Sequence, residues 1–76
     1  MRLNKYDYAA RDFSAVISMQ PKNADAYVYR GIIRVYQNKD KEADADFQKA
    51  FQLNPALKKK LQPIIDDAKA NAKPKE

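Results

Sequence analysis

Cysteine, histidine, tryptophan and threonine are all missing from this 76-residue chain. Without cysteine no disulfide can brace the fold, and no thiolate is at hand for zinc or for nucleophilic attack. The aliphatic hydroxyls are Ser14 and Ser18 alone, on a predicted helix with no base in register to activate them. Glycine occurs once, which argues against a disordered or collagen-like chain and leaves no glycine-rich loop to cradle a phosphate. No apolar run approaches the roughly 18 residues of a membrane span. The opening Met-Arg-Leu-Asn-Lys-Tyr lacks the apolar stretch of a secretory signal, and the compartment stays open. These absences predict a protein that is no enzyme and needs no metal or other cofactor.

What is present suits one small all-α domain, near the lower limit of what folds on a hydrophobic core alone. The apolar fraction of 45% is ordinary for a folded chain. The net charge of +5 is unevenly placed. Residues 23–53 carry five basic and five acidic groups, so the excess lies in the flanks. Asp40, Glu42, Asp44 and Asp46 form the one carboxylate cluster. Alternate residues of a helix point about 200° apart, so these four do not converge on a metal and read as a solvated helix face.

The centre of the chain is residues 24–55, two amphipathic helices joined by the polar turn Gln37-Asn38-Lys39-Asp40. In the first, Asn23 is a suitable N-cap and Asp25 suits the positive helix end. Tyr27, Val28, Tyr29, Ile32, Ile33, Val35 and Tyr36 spread round most of its circumference, which predicts burial on several sides. Gly31 costs roughly 1 kcal/mol of propensity relative to Ala, so it needs a packing reason, and close approach beside Ala43 supplies one. Arg30 and Arg34 mark the exposed edge. The second helix is expected from Asp40, as its cap, to Leu53. Ala43, Phe47, Ala50 and Phe51 face inward; Asp44, Asp46 and Gln48 face solvent.

Sliding Leu3–Pro21 forward by 34 residues sets Asn4, Lys5, Ala9, Asp12, Phe13 and Pro21 on Asn38, Lys39, Ala43, Asp46, Phe47 and Pro55, identical at each position. Self-similarity at this period marks a helical repeat array. Residues 5–20 therefore read as a helix equivalent to 40–53, with Ala9, Phe13, Val16 and Ile17 as its stripe and Asp7 and Arg11 paired on its wet side. With its landmarks Tyr27, Gly31, Ala43, Phe47, Ala50 and Pro55, the central unit resembles a tetratricopeptide repeat; Ala9, Phe13 and Pro21 repeat part of that set. The family's expected fold is a superhelix of antiparallel helix–turn–helix repeats. On this resemblance residues 1–22 hold the second helix of a truncated repeat and residues 23–55 a complete one. Residues 56–70 hold a capping helix, apolar along Leu57, Leu61, Ile64, Ile65 and Ala68, and residues 71–76 a flexible tail. Asn54 and Pro55 start the capping helix, and Pro63 is expected to kink or split it. The first helix of the truncated repeat is missing. Part of the stripe of residues 5–20 should then face water, unless a longer array or another chain covers it.

The resemblance implies a protein-interaction module whose concave groove holds a peptide or another protein's helix. Carried over residue by residue, the groove side is Asp25, Val28, Ile32, Val35 and Tyr36, with Lys59, Gln62 and Asp66 from the capping helix. The best-known subclass grips a terminal carboxylate with Lys and Asn; Val28 and Ile32 stand there instead, so an apolar or amphipathic helix is the expected partner. Two alternatives come from other classes. One is self-association through the uncovered stripe, as a homodimer or by helix exchange. The other is weak anion or nucleic-acid binding by the Lys-rich segment at Lys58-Lys59-Lys60, which has no aromatic side chains interleaved for base stacking.

Overall fold

The chain order is α1 (Lys5–Met19), α2 (Ala24–Tyr36), α3 (Asp40–Leu53) and α4 (Ala56–Ala72). This is a computed structural model, and it describes residues 4–72, among which there is no strand. The protein is all-α. Consecutive helices are joined by short turns, and α2 is the hub, touching each of the other three. The molecule is a slab of 35 × 27 × 16 Å, too thin for a helix to be enclosed on all sides.

Local chemistry explains the boundaries. The Asn4 side chain accepts from the Asp7 N–H at 2.9 Å while Asp7 accepts from the Asn4 N–H at 3.3 Å, a reciprocal capping box at the start of α1. Asn23 caps α2 as expected, accepting from the Ala26 N–H at 3.1 Å. The α2–α3 turn places Asn38 at φ 63°, a left-handed conformation that Asn tolerates better than most residues. With the Lys39 N–H donating to Arg34 O at 2.8 Å and the Asn38 N–H to Val35 O at 3.0 Å, the turn is a Schellman motif.

Several boundaries differ from expectation. The N-cap of α3 is Lys39, with no side-chain capping bond, and Asp40 is the first helical residue. Asp40 and Glu42 thus act on the helix end through charge alone. Pro55 lies in the turn before α4, which begins at Ala56. Pro63 does not split α4, which is one continuous helix; Pro63 stands on its exposed side. The helix also takes in Asn71 and Ala72, expected in the tail; the rest of that tail lies outside the described residues, as do Met1, Arg2 and Leu3.

The core has two lobes, both centred on α2. Val35, Ala43, Phe47, Ile65 and Ala68 unite α2, α3 and α4. Tyr27, Val28 and Ala50 form the other lobe, flanked by Leu57, Leu61 and, from α1, Ile17. The reason for the mid-helix glycine is the Phe47 ring rather than Ala43. A Cβ on Gly31 would lie 2.5 Å from Phe47 Cε1. α1 contributes no fully buried residue.

Candidate functional site

Two helices of similar pattern build an open cleft. On α2, Asp25, Val28, Tyr29 and Ile32 recur at helical spacing along one face; on α4, Leu57, Lys60, Leu61 and Ile64 do the same. Facing each other, they line a cavity of about 310 Å³. Its floor is aliphatic, with Val28 buried and Ile32, Leu57 and Leu61 half-buried. Its rims are large apolar side chains left in water: Tyr29 is 53% exposed and Ile64 52%. Asp25 and Lys60, both exposed, add one charge of each sign.

This arrangement divides the eight residues expected to form a groove. Asp25, Val28 and Ile32 line the cleft. Val35 does not: at 1% exposure it is core, packed among Phe47 and Ile65. Tyr36 lies against the same lobe and stacks on Tyr6, with ring centroids 5.5 Å apart. Lys59, Gln62 and Asp66 line a separate open depression with Pro55, Lys58 and Pro63. The residues of α4 that face the cleft are Leu57, Lys60, Leu61 and Ile64. The signal was present, since those four are the ones in register with the apolar face of α4. The depression around Lys59 has no aromatic side chain in its lining, while on its other side Lys58 borders a second depression with Phe51.

A buried ion cluster locks the scaffold behind the cleft. Asp46, expected in solvent, is 4% exposed. Its Oδ1 accepts from Arg30 Nη2 at 2.7 Å, and its Oδ2 from Arg30 Nε and Arg34 Nη1, both at 3.0 Å. Arg30 also donates to Ser14 Oγ at 3.1 Å and lies over the Tyr27 ring at 5.8 Å. The two arginines are therefore half-buried clamps and not an exposed edge. The hydrogen bond to Asp46 raises the Arg30 pKa, against a smaller opposing effect of burial. Asp7, for its part, accepts from Gln37 Nε2 at 2.7 Å and shares no ion pair with Arg11 among the described residues. Asp44 remains exposed and pairs with Lys69 at 2.8 Å.

The internal repeat shows what is open on α1. Ala43, Asp46, Phe47 and Ala50, the face of α3 that receives α2, are all buried. Their equivalents 34 residues earlier are Ala9, Asp12, Phe13 and Val16; three are half-buried and Asp12 is exposed. Phe13 packs on the exposed ring of Tyr29, with ring centroids 5.3 Å apart.

Fold and cleft together define a class: a small all-α unit of consecutive helices with an apolar cleft, in which no group of three or more carboxylates is placed to hold a metal ion among the described residues. Among proteins of known function, the chain is similar to the DnaJ protein P58IPK homolog A of Oryza sativa subsp. japonica, 29% identical over 68 residues, 86% of this chain. It is also similar to the human mitochondrial import receptor subunit TOM70, 34% identical over 47 residues, 62% of this chain. The chain spans only 14% and 8% of the lengths of these two relatives. No family model and no solved structure matches it.

Proposed function

We propose that the chain is a non-catalytic, tetratricopeptide-like protein-interaction module that seats an apolar or amphipathic helix of a partner between α2 and α4. The observation that carries this reading is the pairing of exposed Tyr29 and Ile64 across an aliphatic floor. Large apolar side chains left in water on both sides of one cleft favour a contact surface over a solvated face. Two relatives of which one is named as a receptor subunit support binding over catalysis. A selection of helical peptides against the protein, followed by Ile64→Lys, tests it. The expected result is loss of the selected binders with the thermal melt unchanged; binders indifferent to Ile64→Lys and to Tyr29→Ala would refute it.

A second reading is favoured by a separate observation, the half-exposed Ala9, Phe13 and Val16 of α1. Copies of the chain that cover this stripe for one another would associate on concentration. Light scattering over a tenfold dilution series checks this, and a constant mass of 8.8 kDa would exclude it.

A further inference from the structure

The uncovered face of α1 carries the same instructions as the covered face of α3. At the offset of 34 residues Ala9, Asp12 and Phe13 are identical to Ala43, Asp46 and Phe47. On α3 each of those three meets a specific feature of α2. The Phe47 ring lies where a Cβ on residue 31 would be, so only glycine fits at the crossing. Asp46 is clamped by Arg30 and Arg34, one turn apart on α2. Ala43 is fully buried and leaves room for close approach. On α1 the same side chains are less covered: Asp12 is exposed and makes no ion pair among the described residues, and Phe13, packed on Tyr29, is only half-buried.

We propose that this face is a docking site for a partner helix bearing the pattern Arg-Gly-x-x-Arg, the one that α2 presents at Arg30-Gly31-Ile32-Ile33-Arg34. The glycine sits over Phe13. The two arginines converge on Asp12, as their counterparts do on Asp46. The apolar side chains between and beside them cover Ala9 and Val16. Charge decides the choice of occupant. An aliphatic helix without arginines would bury Asp12 without a cation, and an unpaired buried carboxylate is strongly unfavourable. A helix with a larger residue at the glycine position would be held off by the Phe13 ring, as Phe47 would hold off any side chain at position 31. The site lies on α1 and adjoins the rim of the α2–α4 cleft where Phe13 meets Tyr29, but its test turns on Asp12, which does not line the cleft.

The probe is a synthetic, fluorescently labelled peptide copying residues 23–37, titrated into the full chain. The expected result is saturable binding, with amide shifts in the NMR spectrum concentrated on Ala9–Val16. Asp12→Lys, at an exposed position, should leave the melt unchanged and weaken the peptide by roughly tenfold or more. A peptide with Arg30→Glu and Arg34→Glu should fail on the native chain and recover on the Asp12→Lys variant. A peptide with Gly31→Leu should fail on both. The peptide could instead displace α2 from α3; binding that ignores Asp12→Lys, with shifts on α3 rather than α1, would show that and overturn the proposal. So would an absence of saturable binding at millimolar peptide. A homodimer that protects the α1 amides and persists in Asp12→Lys would assign the face to a second copy and overturn it as well.

Discussion

Gly31→Ala sets two effects of opposite sign against each other, and the structure decides between them. Position 31 is in the middle of α2, where alanine is favoured over glycine by roughly 0.8–1 kcal/mol of helix propensity. Against this, the new Cβ would stand 2.5, 2.8 and 3.0 Å from three carbons of the Phe47 ring. Normal contact begins near 3.4 Å, so the ring must retreat by most of an ångström. Phe47 is 4% exposed, and its retreat toward the open depression it borders with Asp44 and Phe51 comes at the expense of its contacts with Val35, Ala43 and Ala68. Overpacking of a core contact costs about 1–3 kcal/mol. After the propensity gain, the net expectation is a loss of up to about 2 kcal/mol, from a total of roughly 4–11 for a chain of this length. In a domain this small that lowers the melting temperature by up to about 15 °C. Circular dichroism melts of the single variants and of the double variant with Phe47→Leu test the reasoning. In the Phe47→Leu background the ring is gone, and Gly31→Ala should become neutral or stabilising by up to about 1 kcal/mol. Additive effects, or a single Gly31→Ala that melts higher than the native chain, would refute it.

Four further outcomes follow from other contacts. Asp46→Ala leaves two half-buried guanidiniums facing each other and should cost about 3 kcal/mol in urea unfolding; an unchanged midpoint would mean that the cluster is solvated. Because the Arg30 pKa is raised, its contribution is present at all pH values below the ordinary arginine range and is lost only as pH rises through the raised value. Melts should accordingly show no Arg30-dependent change between pH 6 and pH 9, approximately, when native chain and Arg30→Gln are compared. Pro63→Ala restores a backbone donor within a continuous α4 and should raise the melting temperature, whereas no change would point to a break in the helix at that residue. Lys69→Ala removes only an exposed ion pair, and a loss above about 1 kcal/mol would contradict that description.

The fold was largely legible because its markers are local or periodic. Asn23 at a cap, the polar turn at residues 37–40 and the offset of 34 residues each survive in a bare sequence, and each of the four helix starts lies within a residue of its expected place. The cleft was half legible. The periodicity of α4 shows its apolar face as Leu57, Leu61, Ile64, Ile65 and Ala68, whereas the family resemblance points to Lys59, Gln62 and Asp66, which line a separate depression. Val35 failed for another reason. An apolar residue on the hub helix has the same pattern whether it faces a groove or a neighbouring helix, and only packing distinguishes them. Asp46 was the largest miss, because a carboxylate among other carboxylates reads as solvated. Its partners, Arg30 and Arg34, are 16 and 12 residues away, and no periodicity connects them.

The shortage of buried side chains on α1 gives the molecule two stabilities rather than one. What holds α1 is peripheral: a capping box at its start, the Ser14–Arg30 and Asp7–Gln37 hydrogen bonds, two aromatic contacts and Ile17 at the edge of one lobe. The lobe that joins α2, α3 and α4 needs none of these. α1 can therefore lift away at a fraction of the global unfolding free energy, leaving a three-helix remnant. Its amides should exchange with solvent by that local route, well before those of α2, and proteases should find it first. A ligand seated on α1 would then be detectable as slowed exchange along a helix that, alone, is only loosely tethered.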